Sequence, residues 1–394
     1  MLRPVSKKPD PILLFTAVGL IVFGVLMVYD ASVVYAHDVF GGKYHFLLKQ
    51  LSWVVLGGVG GFLVFLIDYQ RLRQVALPIF VITLGLLIFL VIPRFVSFPL
   101  LDKFVPEVNG ARRWIVLNPP GVLPSLPLLG YLSFQPSELA KLALVLYLSA
   151  WLAPQGRRGV KTPLPDVISV YVLLSAMGGL ILLEPDFATA ALACFVGVWL
   201  YFVAGAKILP LLISSVVFLL AGVGFVWTSP YRRARLLTFL DPAAADPLST
   251  GYHLRQILIA LGSGGLFGLG LGESRQKYEY LPETVGDSIF AIIGEEFGFL
   301  GTTALVLVFL LFLWRGFLVA RDAPDNYARL LAAGIIGWMS LQVLVNLCAM
   351  TALIPLTGVT LPFISYGGSS MVFTLFGLGI LLNISAVGGL GSRR

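Results

Sequence analysis

Runs of apolar residues long enough to cross a lipid bilayer recur along almost the whole of this chain, and they constrain its fold more than any other feature. A hydrocarbon core ~30 Å thick needs about 20 consecutive apolar residues in a helix. Ten such runs can be read, at roughly 11–29, 46–67, 75–93, 136–153, 167–183, 187–203, 208–227, 288–314, 328–353 and 360–384. Of the 394 residues, 12% are charged, against roughly 25% in a soluble domain. A chain so poor in charge cannot keep a folded surface wet, which excludes soluble enzymes, disordered chains and disulfide scaffolds. Cys194 and Cys348 lie in apolar runs and imply no disulfide framework. The expectation is an all-α polytopic membrane protein with about ten transmembrane helices, a single domain over 1–394.

Lys and Arg in short loops set the orientation. With the N-terminus cytoplasmic, the inner segments hold Arg3, Lys7, Lys8, Arg71, Arg73, Arg157, Arg158, Lys161, Lys207, Arg315, Arg321, Arg329, Arg393 and Arg394. Short outer connections hold only Lys43 and Lys49, and an even span count makes the C-terminus cytoplasmic too. Two long outer segments remain, at about 94–135 after span three and 228–287 after span seven; both are rich in basic residues. The net charge of +7 reflects these loops and anionic lipid rather than a nucleic acid partner.

Polar groups at membrane depth are expensive and mark candidate sites, but each also admits a structural reading. Glu138 and Lys141 are i,i+3 neighbours on a helix that Pro136 starts. They either neutralise each other or leave Lys141 for a substrate. Glu184 and Asp186 flank Pro185 at an outer turn; such carboxylates are solvated, or hold a divalent cation with only two ligands. Arg112, Arg113 and Trp114 in the first outer segment, and Arg232, Arg233 and Arg235 in the second, are interfacial anchors or phosphate clamps. Two such clusters on one face favour an anionic ligand.

The stretch 262–272 contains six glycines and fits no nucleotide-binding motif. It reads as backbone that approaches a ligand or bends through the interface, with Arg275 and Lys277 adding charge beside it. Asp287 stands where a helix N-cap would, or is a reactive carboxylate. Gly294 and Gly298 permit close helix contact. Glu295 and Glu296 are deep acids that cannot both face one cavity, so at least one is a structural hydrogen-bond partner. Ser365 and Ser369 open the last span with hydroxyls and exposed backbone, which lipid does not tolerate. His37, His45 and His253 lack metal-ligand spacing, and no Ser/His/Asp triad can be drawn.

Several of these blocks occur in an order that resembles the SEDS family (RodA, FtsW, SpoVE). They are NGARRW at 109–114, QPSELAKL at 135–142, LLEPDFATA at 182–190, YRRARLLTFLDP at 231–242, the run 251–277, GDSIFAIIGEEFG at 286–298 and TGVTLPFISYGGSS at 357–370. The GARRW and GLGLGESRQK blocks are most similar to FtsW, the division branch. Two departures stand out: Val285-Gly286-Asp287-Ser288 replaces a His-Thr-Asp-Phe-like run, and Ser133 stands where some relatives carry a basic residue.

The resemblance implies a peptidoglycan glycosyltransferase that polymerises lipid II into glycan strands at the outer face of the bacterial plasma membrane, at the division septum. The partners it implies are the growing glycan strand, a class B penicillin-binding protein and other divisome proteins. By motif the essential aspartate falls on Asp287; Glu138, Lys141, Glu184, Asp186, Arg112 and Trp114 match family-typical positions. A divalent cation (Mg2+ or Mn2+) is expected to assist, with no organic cofactor. The competing readings are a lipid II flippase and a non-catalytic scaffold.

Overall fold

The computed structural model describes residues 8–96, 99–108, 110–124, 132–154, 164–207, 230–241 and 251–388, with isolated positions between 209 and 229; the side chains of 164–167 and 230–232 are not among those described. The expected span at 208–227 and the side chain of Arg232 therefore lie largely outside the described residues. Helices α1 (Pro11–Phe40), α2 (His45–Leu66) and α3 (Tyr69–Val91) come first. A 3-10 turn, the short α4 (Pro99–Phe104) and a two-stranded ribbon follow, β1 (Ile115–Val116) pairing antiparallel with β2 (Ser133–Phe134). Then come α5 (Pro136–Leu152), α6 (Leu164–Leu183), α7 (Phe187–Val203), α8 (Pro230–Leu240), α9 (Tyr252–Gly264), α10 (Ile289–Arg321), α11 (Asn326–Met350) and α12 (Gly368–Gly388).

Among the described residues, α1, α2, α3 with its terminal turn, α10, α11 and α12 are long and apolar enough to cross a membrane, while α5, α6 and α7 match shorter expected runs. The ribbon is a small departure from an all-α chain. Of these six long helices α11 and α12 are the most buried, and the shorter α5 is buried along most of its length beside them. There α2 lies against α12 on glycines: a Cβ on Gly61 would stand 2.5 Å from the carbonyl oxygen of Leu375, and one on Gly379 2.1 Å from that of Gly61. Packing in lipid gains nothing from the hydrophobic effect, so close backbone approach supplies dispersion energy instead.

Three boundaries differ from the sequence reading, each for a physical reason. The first helix does not stop at 29 but runs to Phe40, ending where Gly41 turns left-handed (φ 66) and caps the Ala36 and His37 carbonyls. Asp30, the residue that closes the apolar run, forms an ion pair with Lys277 at 3.1 Å, so its charge does not end the helix. The last helix starts at Gly368 rather than near 360. Residues 353–367 form an irregular loop pinned by side chains of α11 and by Gln50, which donates to the Ser365 carbonyl.

The third difference is a break in α10. Gly298 has φ 65 and ψ −164, and the helix is interrupted there. Phe299 and Leu300 would donate their N–H groups to Glu295 and Glu296; instead they donate to the Gly265 and Leu266 carbonyls at 2.9 and 3.1 Å. The vacated carbonyls of Glu295 and Glu296 accept from Leu269 and Gly270, both at 3.0 Å. The glycine-rich stretch thus threads into the break and satisfies its backbone, as a low-dielectric setting demands. Gly264 and Gly268 face Gly294 and Gly298 across this contact. A Cβ on Gly268 would stand 2.0 Å from the Glu296 carbonyl oxygen.

Gly298→Ala should therefore lower the thermal unfolding midpoint of the detergent-solubilised protein, by roughly 1–3 kcal/mol in stability from backbone strain alone, with the clash at Gly268 added. Gly262→Ala, with nothing within 4 Å of the new methyl, should leave the midpoint unchanged or raise it. Equal midpoints for the two variants would refute the mended-break reading.

Candidate functional site

Asp287 lies at one end of the bundle, where the segment that follows α9 enters α10. It is not the N-cap of that helix. The cap position is Ser288, and no side-chain cap bond is made. The Asp287 carboxylate instead receives the Ser288 hydroxyl at 3.4 Å, and Ser288 Oγ lies 2.8 Å from Nε2 of His253 on α9. The loop 353–367 passes close by: a Cβ on Gly358 would stand 3.8 Å from Asp287 Oδ2. Tyr366 N–H donates to the Val285 carbonyl at 2.8 Å, tying that loop to the segment before Asp287.

Burial raises the Asp287 carboxyl to about 6; the Glu283 carboxylate adds to the rise, and Arg235 opposes it. His253 is pushed down to about 4, first by burial and then by Arg235, so its imidazole is neutral at neutral pH. Arg235 on α8 donates to the Leu356 carbonyl at 3.4 Å. A carboxyl raised to about 6 and so largely ionised at neutral pH, within the field of Arg235 and close to a neutral imidazole, is suited to accepting a proton from a hydroxyl.

A polar seam runs from this site into the bundle. Asn346 Nδ2 donates to the Asp287 carbonyl at 2.9 Å and to the Val359 carbonyl at 2.8 Å. One turn earlier on α11, Gln342 Nε2 donates to the Thr360 carbonyl at 3.0 Å, while its Oε1 accepts from Trp338 Nε1 at 2.7 Å and Lys141 Nζ at 3.1 Å. Lys141 in turn pairs with Glu138 at 2.8 Å, both side chains being buried. The pair thus adopts the neutralising arrangement, with Lys141 holding Gln342 as well. Sequence reading missed Gln342 and Asn346. Their signal was two carboxamides four residues apart, on one face of an otherwise apolar helix.

The structure does not bring most of the expected cations to Asp287. Arg112 pairs with Asp102 and, at 3.6 Å, with Glu107. Arg113 donates to the carbonyls of Glu184 (3.2 Å) and Pro185, and Arg94 to that of Leu183 at 3.0 Å. Together they cap the C-terminus of α6, with Trp114 half-buried next to them in the chain. Arg233 lies over the Trp227 ring, Arg275 is exposed, and Lys277 is held by Asp30 and Glu296. Of the predicted cations with described side chains, Arg235 is the one placed to act on Asp287.

The remaining candidates have partners within the protein. Asp186 caps α7 through Thr189 N–H at 3.1 Å. Ser365 Oγ accepts from Leu361 N–H at 2.8 Å, and Ser369 Oγ from Gln135 N–H at 3.0 Å. Glu295 accepts from Ser274 Oγ and from the N–H groups of Arg275 and Gln276, so both deep acids are bound within the protein. Glu184 is different: its carboxylate oxygens are buried without a hydrogen-bond partner, and burial, then Asp186, raise it to about 9 despite Arg113. Among the described residues no three His, Cys, Asp or Glu side chains converge. The oxygen-rich donor set that Mg2+ or Mn2+ requires is therefore incomplete there.

Beneath Asp287, between α9 and α10, lies a groove of about 440 Å³ lined by Leu261, Gly265, Phe290, Phe299, Val306 and Thr351, among others.

The chain matches the family model FTSW_RODA_SPOVE, described as "Cell cycle protein", over residues 11–388. It is 38% identical over 387 residues to the stage V sporulation protein E of Bacillus subtilis, covering 96% of this chain and 98% of that one. It is 37% identical over 377 residues to a probable peptidoglycan glycosyltransferase FtsW of Trichlorobacter lovleyi, covering 96% and 93%. Its fold is similar to a chain from a structure described as "Structural coordination of polymerization and crosslinking by a peptidoglycan synthase complex", with a TM-score of 0.72, 29% identity and coverage of 98% and 99%. The Rod shape determining protein RodA of Thermus thermophilus matches with a TM-score of 0.66, 30% identity and 96% coverage of both chains.

The Glu138–Lys141 pair gives a stability test. Lys141→Met should destabilise the protein by roughly 3–5 kcal/mol, because it leaves a carboxylate buried and unpaired. Glu138→Met/Lys141→Met should recover most of that loss in a thermal unfolding assay. A double variant as unstable as the sum of both single variants would show that the two groups do not act as a pair.

Proposed function

The chain belongs to the FtsW/RodA/SpoVE family, the SEDS family, and is an FtsW-like peptidoglycan glycosyltransferase; we propose that it polymerises lipid II at the outer face of the plasma membrane, with Asp287 as general base. The observation that carries the residue assignment is the Asp287 carboxylate, held near 6 within the field of Arg235 at the end of the bundle where α10 begins. Lipid II offers a pyrophosphate at headgroup level, sugars outside and a polyprenyl tail in the bilayer. In this reading Asp287 takes the proton from the acceptor sugar hydroxyl as that oxygen attacks the anomeric carbon of the donor. The lipid pyrophosphate leaves with the bonding electrons. Inversion at that carbon needs one displacement and no covalent enzyme intermediate.

Arg235 keeps Asp287 ionised by its charge and is the side chain best placed to stabilise the departing pyrophosphate. The apolar groove lined by Leu261 and Phe290 gives the polyprenyl tail a place next to the reacting groups. Ten spans, cytoplasmic termini and a septal location belong to the same proposal, as does a class B penicillin-binding protein that cross-links the strands. The likeness to a chain of a polymerising and cross-linking complex supports that partnership. The flippase alternative loses its support at depth, since Glu295 and Glu296 are tied to Ser274 and Lys277 rather than to a path.

Asp287→Asn should cut glycan-chain synthesis by roughly 10²-fold or more while leaving lipid II binding near wild type and the unfolding midpoint at or above it. The amide is nearly isosteric, and Asp287 meets α11 through its main chain. Near-wild-type synthesis would remove Asp287 as the base.

The rate of the wild-type enzyme should fall on the acid side with a midpoint near pH 6, because the base works only when ionised. Arg235→Met removes the charge that lowers the Asp287 value, so the acid limb should move to higher pH. A limb that stays in place, or moves down, would contradict the assignment.

A further inference from the structure

We infer that residues 256–272 form a re-entrant wedge that dips into the outer leaflet of the bilayer, with Leu266, Phe267 and Leu271 against lipid chains, rather than an extracellular loop. The first observation is level. The wedge is hydrogen-bonded to residues 295–300 of α10: Leu269 and Gly270 donate to Glu295 and Glu296, and Phe299 and Leu300 donate to Gly265 and Leu266. On α10 the uncharged run Phe297–Trp314 ends at Arg315. At ~1.5 Å per residue it covers roughly 27 Å, close to the ~30 Å of a hydrocarbon core. Gly265 to Gly270 therefore lie at the outer boundary of that core and within its first helical turn.

The second observation is the exposed surface. Phe267 is 79% exposed, Leu271 68% and Leu266 63%. On α9 the outward residues after Arg255 are Leu258, Ile259, Gly262 and Ser263, none of them charged; the Ser263 hydroxyl is satisfied within the helix by the Ala260 carbonyl at 2.9 Å. No charged residue occurs between Arg255 and Glu273. The helix that enters this run, Tyr252–Gly264, has 13 residues, too few for a span and in the range of a re-entrant element. Tyr278 and Tyr280, both 57% exposed just beyond the return, sit where an interfacial aromatic belt belongs.

The third observation is the backbone. Irregular chain survives at membrane depth only when its N–H and C=O groups are satisfied by protein. The break at Gly298 does this for Gly265, Leu266, Leu269 and Gly270, and Gly268 donates to the Gly264 carbonyl at 2.7 Å. The lack of side chains at Gly264 and Gly268 lets the wedge lie directly on the backbone of α10. A water-exposed loop has no need of such pairing, and it would hold three large apolar side chains in water.

The test is the depth of nitroxide labels on the full chain in lipid nanodiscs. Phe267→Cys and Leu271→Cys are made in a Cys194→Ala/Cys348→Ala background and spin-labelled. Leu310→Cys on the outer face of α10 serves as the lipid reference and Leu123→Cys in the first outer segment as the aqueous one. Both wedge labels should be relaxed more by dissolved oxygen than by a water-soluble nickel chelate, as at Leu310. Because both residues are exposed, neither change removes packing, and monodispersity on size exclusion checks each sample. Nickel-dominated relaxation at either wedge site, as at Leu123, overturns the proposal and marks the patch as a surface for another protein. The readout needs no turnover, so failure of the glycosyltransferase mechanism and failure of the wedge are separable.

Discussion

The exchange of backbone hydrogen bonds at Gly298 is the contact on which the outer half of this protein depends. Two bonds inside α10 are given up and four are made with the glycine-rich stretch. The helix stays continuous in hydrogen bonding although its axis is broken, so the break costs little in a medium without water. The same contact sets the height of Ser274 and Lys277, which then reach Glu295, Glu296 and Asp30. In this way one left-handed glycine links α1, α9 and α10 at a single level.

Asp287 is positioned from the other side, by α11. Asn346 and Gln342 each hold a carbonyl of the loop 353–367, and Asn346 also holds the carbonyl of Asp287 itself. The ion pair Glu138–Lys141 anchors the far end of that line through Gln342. The buried charges that look most like chemistry in the sequence are thus scaffolding. Asp287, the proposed base, sits at the other end of their line.

Much of this was legible beforehand, for reasons that can be stated. Apolar length located the helices because lipid imposes it, and it misplaced the end of α1 because a paired Asp30 looks the same in sequence as a solvated one. Gly294 and Gly298 announced close contact, but nothing in their spacing said that the partner was an irregular loop or that Gly298 would leave the helix. By residue type alone the arginines read as interfacial anchors or phosphate clamps. Arg112 and Arg113 instead satisfy carboxylates and helix-end carbonyls contributed by distant segments, and such partners are fixed only by the fold. Asp287 was singled out on both grounds considered, and the cap reading failed because the helix begins one residue later than its apolar run suggests.

Because Asn346 grips the main chain of Asp287 and not its carboxylate, the side chain can change charge without loosening the bundle. Its carboxyl lies near 6 in the folded protein, above the ordinary value of 3.8, chiefly because burial penalises the ionised form. A group raised in this way adds its full stability below its unfolded value and loses it as the pH climbs through the folded one. Acidification therefore silences the base while tightening the fold around it. Activity and stability at this one carboxyl thus pull in opposite directions as the pH changes, because the charge that would let it accept a proton is the charge its burial opposes.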